Sequence, residues 1–96
     1  GGYITFSVGE ECLIGDNAGL GIPLGDRCTV EAGLFVTAGT KVAVLDDARK
    51  IVETVAARDL AGRSDLLFRR NSLSGSVECL TNKTAIELNE RLHANN

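Results

Sequence analysis

The chain has 96 residues and a formal net charge of −3, from 10 Lys and Arg against 13 Asp and Glu. That length holds one small domain. The acidic balance argues against nucleic acid, whose binding proteins present a cationic face. Because no apolar run approaches the roughly 18 residues that span a bilayer, and no leader pattern opens the chain, we expect a soluble, cytoplasmic protein with no nucleic-acid or membrane partner.

The chain contains no methionine and begins at Gly1, which predicts that it is part of a longer polypeptide. Glycine occurs 11 times and proline once, a balance typical of repeated tight turns in an ordered chain. Three cysteines are an odd number without a secretory leader, so we expect reduced thiols.

An aliphatic residue recurs every six positions in the first half, with one four-residue step that resets the register: Val8, Ile14, Leu20, Leu24, Val30, Val36 and Val42. A glycine follows each of the first four, and we attribute it to backbone angles that a Cβ would penalise. Ordinary strand alternation fits only the first few residues. The hexapeptide pattern predicts an all-β fold, a left-handed parallel β-helix of triangular coils with Ile14 and Val30 fully buried inside.

The predicted coils occupy residues 1–42, which is only about two turns. Because solenoids need about three units for stability, earlier coils and an N-terminal domain are expected upstream of Gly1. Residues 43–96 are predicted to be a C-terminal extension. It would contain a hairpin of strands 42–45 and 50–55, two further strands at 66–70 and 76–80, and a short terminal helix after a capping-box pattern at Thr84 and Glu87.

Several clusters were weighed as sites. The glycines of 19–25 surround Pro23 and precede no helix, so they match neither a dinucleotide fingerprint nor a P-loop. Cys12 and Cys28 fall on small inward positions and match no zinc motif, so no metal site is expected. His93, the only histidine, lies outside the repeat and is expected at the surface. The string 69–72, Arg-Arg-Asn-Ser, could clamp a phosphate or carboxylate, or could simply be a charged strand face.

Strings at 15–26, 30–42, 66–75 and 88–95 together resemble the C-terminal part of the tetrahydrodipicolinate N-succinyltransferases, in the branch typical of actinobacteria. The resemblance implies a cytoplasmic homotrimer of lysine and diaminopimelate biosynthesis. Such an enzyme moves a succinyl group from succinyl-CoA to the amine of tetrahydrodipicolinate. It also implies that CoA and succinyl-CoA are bound as substrates, and that no cofactor is held permanently.

Carried over by position, the family's succinyl-CoA contacts fall on nine residues: Asp16, Glu31, Ala32, Gly39, Ala56, Arg69, Arg70, Asn71 and Ser72. The family has a lysine where Ala56 aligns, and Lys41 or Lys50 could replace it. Its catalytic glutamate, substrate-binding residues and acidic metal ligands lie upstream of Gly1. No catalytic or metal residue is therefore expected within these 96 residues, and the chain by itself is expected to be inactive.

Two other functions remain open from the residues. Another hexapeptide acyltransferase, acting on a sugar or on serine, shares the repeat but usually carries a histidine within its coils. A non-enzymatic β-helix module for oligomerisation would bind no CoA.

Overall fold

The first half of the chain is a stack of turns that repeats every 16 residues. The computed structural model describes residues 3–4 and 7–81. Strands β1 (Tyr3–Ile4), β2 (Leu13–Ile14), β3 (Gly19–Leu20), β4 (Thr29–Val30) and β5 (Phe35–Val36) each have two residues.

Each strand pairs in parallel with the strand one turn along the chain, and the pairs define three faces. Face 1 is β1, β3 and β5, with Leu20 opposite Val36. Face 2 contains the bridge between Val8 and Leu24. Face 3 begins with β2 and β4, with Ile14 opposite Val30. Every partner lies 16 positions away, so each turn is two hexads plus one four-residue step.

The aliphatic positions of the repeat form the core. Leu20, Leu24, Val30, Val36 and Val42 are each at most 4% exposed. Ile14, predicted to be fully buried with Val30, is only half-buried. It lies on β2, the edge strand of its sheet, and therefore has a stacked neighbour on one side only.

The glycines after the aliphatic residues are required by the spacing of the turns rather than by backbone angle. A Cβ on Gly15 would lie closer than 3.0 Å to the backbone of Ala32, and one on Gly25 would meet Arg63 in the same way. Neither glycine has a positive φ. The explanation expected from the sequence is therefore wrong for these positions, which need glycine because the next turn passes directly over them.

Left-handed backbone occurs at the turns between faces instead. Between faces 2 and 3, Glu11, Arg27 and Asp65 have φ of 59°, 57° and 64° in three successive turns. Arg27 donates to Asp65 from Nε at 2.6 Å and from Nη2 at 3.3 Å, and this pairing raises the pKa of the arginine. The bidentate ion pair joins two turns across this corner.

The second half of the described chain contains two antiparallel strand pairs. Strands β6 (Lys41–Leu45) and β7 (Ile51–Ala56) make a hairpin. A 3₁₀ helix, Ala57–Leu60, follows. Strands β8 (Leu66–Arg70) and β9 (Val77–Thr81) then pair antiparallel. The predicted terminal helix at 84–92 lies outside the described residues.

The chain returns to the stack after the hairpin. Strand β8 pairs in parallel with β4, placing the buried Phe68 opposite Val30. Gly25 N donates to Arg63 O at 2.9 Å, which continues face 2. The hairpin is thus inserted into a third turn, and β9 joins β8 to β6 in a sheet ordered β2-β4-β8-β9-β6-β7. The domain boundary at residue 42 stays a prediction. Among the described residues, no helix is long and apolar enough to cross a membrane.

The three cysteines are free thiols. Cys28 is fully buried, as expected of an inward filler, whereas Cys12 in the preceding turn is half-buried. Cys28 N donates to Cys12 Sγ at 3.4 Å. Burial raises the pKa of Cys28, and it raises the pKa of Cys79 to about 12.

The close approach at Gly15 predicts a position-specific cost for a methyl group. Gly15→Ala should destabilise the protein by about 1–3 kcal/mol, because overpacking forces the next turn to move. The matched control is Gly39→Ala, since the new Cβ would have no atom within 4 Å and φ there is not positive. Denaturant unfolding measures both, and equal losses would contradict the stacking explanation.

The raised pKa of Cys79 predicts a loss of stability in alkali. The thiol ionises near pH 9 when unfolded and near 12 when folded, so its contribution is complete below pH 9 and is lost as pH rises toward 12. Tm should fall less steeply above pH 9 in Cys79→Ala than in the parent. An equally steep fall of Tm above pH 9 in Cys79→Ala and in the parent would contradict this account.

Candidate functional site

The turns between face 3 and face 1 stack to form one corner of the protein, which we call the arginine corner (residues 15–17, 31–33 and 69–72). Gly33 N donates to Asp16 O at 2.8 Å, and Glu31 N donates to Phe68 O at 3.0 Å. Arg70 N donates to Glu31 Oε1 at 3.2 Å. Residues far apart in the sequence therefore meet here, because each turn adds one layer to the same edge.

A cavity of about 320 Å³ opens at this corner. It is lined by Glu31, Arg69, Arg70, Asn71, Ser72 and Glu78. Five of the nine residues predicted to contact succinyl-CoA thus line one cavity. Asp16 and Ala32 lie in the turns of the same corner, both exposed.

Glu78 is the cavity residue that the sequence analysis missed. It is 6% exposed and is the one buried charged residue among those described. Its Oε1 accepts from Arg69 Nε at 3.0 Å, and its Oε2 accepts from Asn71 Nδ2 at 3.1 Å. The one sequence feature that could have revealed it is a single carboxylate among apolar residues in a predicted strand. Its position opposite Arg69 follows only from the pairing of β8 with β9.

The connection between β8 and β9 is held by Asn71. Its Oδ1 accepts from Leu73 N at 2.9 Å and from Ser74 N at 3.0 Å, an Asx turn. Gly75, with φ of +78°, donates to Asn71 O at 2.8 Å and accepts from Arg70 Nη1 at 2.7 Å. The turn therefore anchors the guanidinium of Arg70 through the Gly75 carbonyl, and Glu78 on β9 anchors that of Arg69.

Both guanidiniums keep donors for a ligand. An arginine has five N–H donors, and within the described residues each side chain uses one of them. Two carboxylates and two guanidiniums line the cavity, so its formal charges cancel. The arrangement suits directional hydrogen bonding to an anion more than long-range attraction.

Gly39 and Ala56 lie elsewhere, at the corner between faces 1 and 2. Ala57 N donates to Thr40 O at 2.8 Å, and Arg58 N donates to Ala38 O at 3.0 Å. Ala56 pairs with Lys41 across the hairpin, whereas Lys50 lies near the hairpin's far end, where its carbonyl accepts from Asp46 N. Of the two lysines, Lys41 is the one beside the position where the family lysine aligns.

The two groups of predicted contacts flank face 1. The arginine corner precedes its strands in each turn, and the Gly39 corner follows β5. Phe35, on the outer side of β5, is 54% exposed, and its ring covers the space where Gly19 would carry a Cβ. Phe35 is therefore an exposed apolar side chain between the two corners.

No group of three or more His, Cys, Asp or Glu side chains that could hold a metal ion occurs in the part of the chain that the structure describes. The sequence analysis placed the family's metal ligands upstream of Gly1.

Comparison with known proteins supports the pattern seen in the coils. Residues 6–38 match a family model described as the hexapeptide repeat of succinyl-transferase. The chain is 72% identical over all 96 residues to 2,3,4,5-tetrahydropyridine-2,6-dicarboxylate N-succinyltransferase of Pseudomonas aeruginosa, and 67% identical to the protein of that name from Vibrio cholerae. It spans 28% of the length of each. The actinobacterial branch stays a prediction.

A solved structure is also similar. It comes from Campylobacter jejuni and is described as a 2,3,4,5-tetrahydropyridine-2-carboxylate N-succinyltransferase. The match has a TM-score of 0.75 and 37% identity, and covers 84% of this chain and 24% of that one. The resemblance inferred from the sequence is confirmed: throughout its length, the chain is closely similar to a segment of the tetrahydropyridine-dicarboxylate N-succinyltransferases, with a β-helical repeat of the succinyltransferase type.

Proposed function

We propose that this chain supplies the succinyl-CoA-binding part of a tetrahydrodipicolinate N-succinyltransferase of lysine and diaminopimelate biosynthesis. The observation that carries the proposal is the cavity at the arginine corner, where Arg69, Arg70, Asn71 and Ser72 meet Glu31. Identity of 72% with proteins named for this reaction supports the same assignment.

The binding roles follow from the donors available. Arg69 and Arg70 donate to phosphate oxygens of CoA as charge-assisted hydrogen bonds. The exposed corner residues Asp16, Glu31, Ala32 and Gly39 contact the pantetheine arm. The Gly39 corner, with Ala56 and Lys41, is the second contact region across face 1. CoA enters and leaves as a substrate, and no cofactor is held permanently.

The reaction itself needs a group outside this site. An amine nitrogen of the acceptor attacks the thioester carbonyl, the N–C bond forms, the C–S bond breaks, and CoA leaves as its thiol. A base must take the proton that the nitrogen loses. Both oxygens of Glu78 already accept hydrogen bonds, and Glu31 Oε1 accepts from Arg70 N. The base in this proposal is the family glutamate that the resemblance places upstream of Gly1, and the chain alone is expected to be inactive.

The finer architecture belongs to the same proposal. The coils wind as a left-handed parallel β-helix, and the protein is a cytoplasmic homotrimer. Exposed apolar side chains support the trimer, since Phe35 on face 1 and Leu13 on face 3 are 54% and 69% exposed. Prisms packed side by side about a three-fold axis would cover both.

The arginines are tested by substitution in the complete protein that carries this chain. Arg69→Ala with Arg70→Ala should weaken CoA binding by about 1.5–3 kcal/mol for each charge-assisted hydrogen bond lost. Calorimetry with CoA measures the change. Arg49→Ala, on the exposed hairpin turn, is the matched control and should bind as the parent does.

Two outcomes would change the assignment. Unaltered affinity in the double variant would remove the arginines from the site. Failure of the parent protein to bind CoA at all would favour a β-helix module that serves oligomerisation only.

The assembly is tested by sedimentation. A three-fold assembly predicts one species at three times the protomer mass at micromolar concentration. Phe35→Asp should dissociate it, because a charge would be buried in the interface without a partner. Val52→Asp, on the equally exposed hairpin strand β7, is the control. A folded monomeric parent would contradict the proposal.

A further inference from the structure

We propose that Glu78 is a positioning residue for succinyl-CoA: it holds Arg69 and Asn71 in the geometry that receives the CoA anion. The inference rests on the proposed function, and it assigns a role to a side chain that does not itself meet the ligand's charge. Its carboxylate lies at the base of the arginine corner, on β9, opposite Arg69 on β8.

Each oxygen of the Glu78 carboxylate accepts a hydrogen bond from a different residue. Oε1 accepts from Arg69 Nε at 3.0 Å, and Oε2 accepts from Asn71 Nδ2 at 3.1 Å. Engaging Nε rather than a terminal nitrogen fixes the plane of the guanidinium and leaves all four Nη–H donors of Arg69 for a ligand. Glu78 holds the Nδ2 of Asn71, and the Oδ1 of the same amide accepts the hydrogen bonds that stabilise the turn containing Ser72.

The effect on CoA binding of removing the Glu78 charge distinguishes a purely electrostatic role from a positioning role. Glu78 contributes a negative charge to a cavity meant for an anion. If charge alone mattered, removing it would change the formal charge of the cavity from zero to +1 and tighten CoA binding. If Glu78 positions the donors, removing its charge frees Arg69 to adopt other rotamers, and binding weakens despite the added positive charge.

The decisive variant is Glu78→Gln in the complete protein. An amide has one oxygen, so it can accept from Arg69 or from Asn71, while its NH₂ group faces the remaining donor. We expect KM for succinyl-CoA to rise about 10-fold or more, equivalent to one lost hydrogen bond to a charged group. KM for the amine acceptor should change less than two-fold. Glu53→Gln, the same change on exposed β7, should leave both constants unaltered.

Further measurements separate positioning from a folding defect. Glu78→Asp keeps the charge on a shorter stem, reaches one of the two donors, and should lose less affinity than Glu78→Gln. A misfolded variant would instead raise both KM values and lower kcat together. If Glu78→Gln does not fold, Glu78→Asp carries the test through the same comparison of the two KM values.

The inference would be overturned by tighter or unchanged succinyl-CoA binding in a folded Glu78→Gln protein, or by equal increases in the two KM values. Either result leaves the proposed function intact if the parent turns over succinyl-CoA. Absence of CoA binding in the parent overturns both.

Discussion

The rest of the structure depends on how closely successive turns approach one another. Turns stack at backbone hydrogen-bond distance, as between Gly15 N and Val30 O at 2.8 Å. At that spacing, a side chain on Gly15 or Gly25 would occupy the volume of the turn above. The aliphatic residues provide burial, but the glycines allow the chain to bring like positions into register every 16 residues. This register brings Asp16 and Ala32 to one edge, and the pairing of β8 with β4 adds Arg70 there.

The arginine corner forms where the two regular turns meet the third turn, which is interrupted by the hairpin. The two regular turns bring their own backbone and the carboxylate of Glu31 to this corner. They do not enclose a cavity, because the residues of that corner, Asp16, Glu31 and Ala32, are all exposed. Enclosure comes from β9, which runs antiparallel to β8 and returns Glu78 beside Arg69. The hairpin of β6 and β7 makes this possible, since β9 pairs with β6 on its other side.

The sequence was sufficient for local and periodic features and insufficient for contacts that depend on long connections. The aliphatic period predicted stacked coils with Val30 buried inside, because a repeat places like residues at like positions in each turn. Strands at 66–70 and 76–80 were predicted from composition, and the second is observed one residue later, at Val77–Thr81. That β8 would stack on β4, across an intervening hairpin, had no periodic signal. Glu78 was missed because its place opposite Arg69 depends on the register of the β8–β9 pair, which the strand pattern alone does not specify. Ile14 was expected to be covered because edge and centre strands share one aliphatic pattern.

The balance of charge at the arginine corner has a consequence for recognition. An uncompensated pair of arginines would attract any polyanion, and the attraction would fall steeply with salt. Here Glu78 and Glu31 offset that field while each leaves guanidinium donors in place. A ligand that accepts hydrogen bonds from several N–H groups at once, as a phosphate does, therefore binds tightly. A ligand with only a diffuse negative charge binds weakly. Selectivity of this kind requires the donors to be rigid before the ligand binds. Ordering two long side chains on binding would otherwise offset much of the free energy contributed by their hydrogen bonds. The buried carboxylate, the Asx turn at Asn71 and the Arg70–Gly75 contact each remove one source of that disorder.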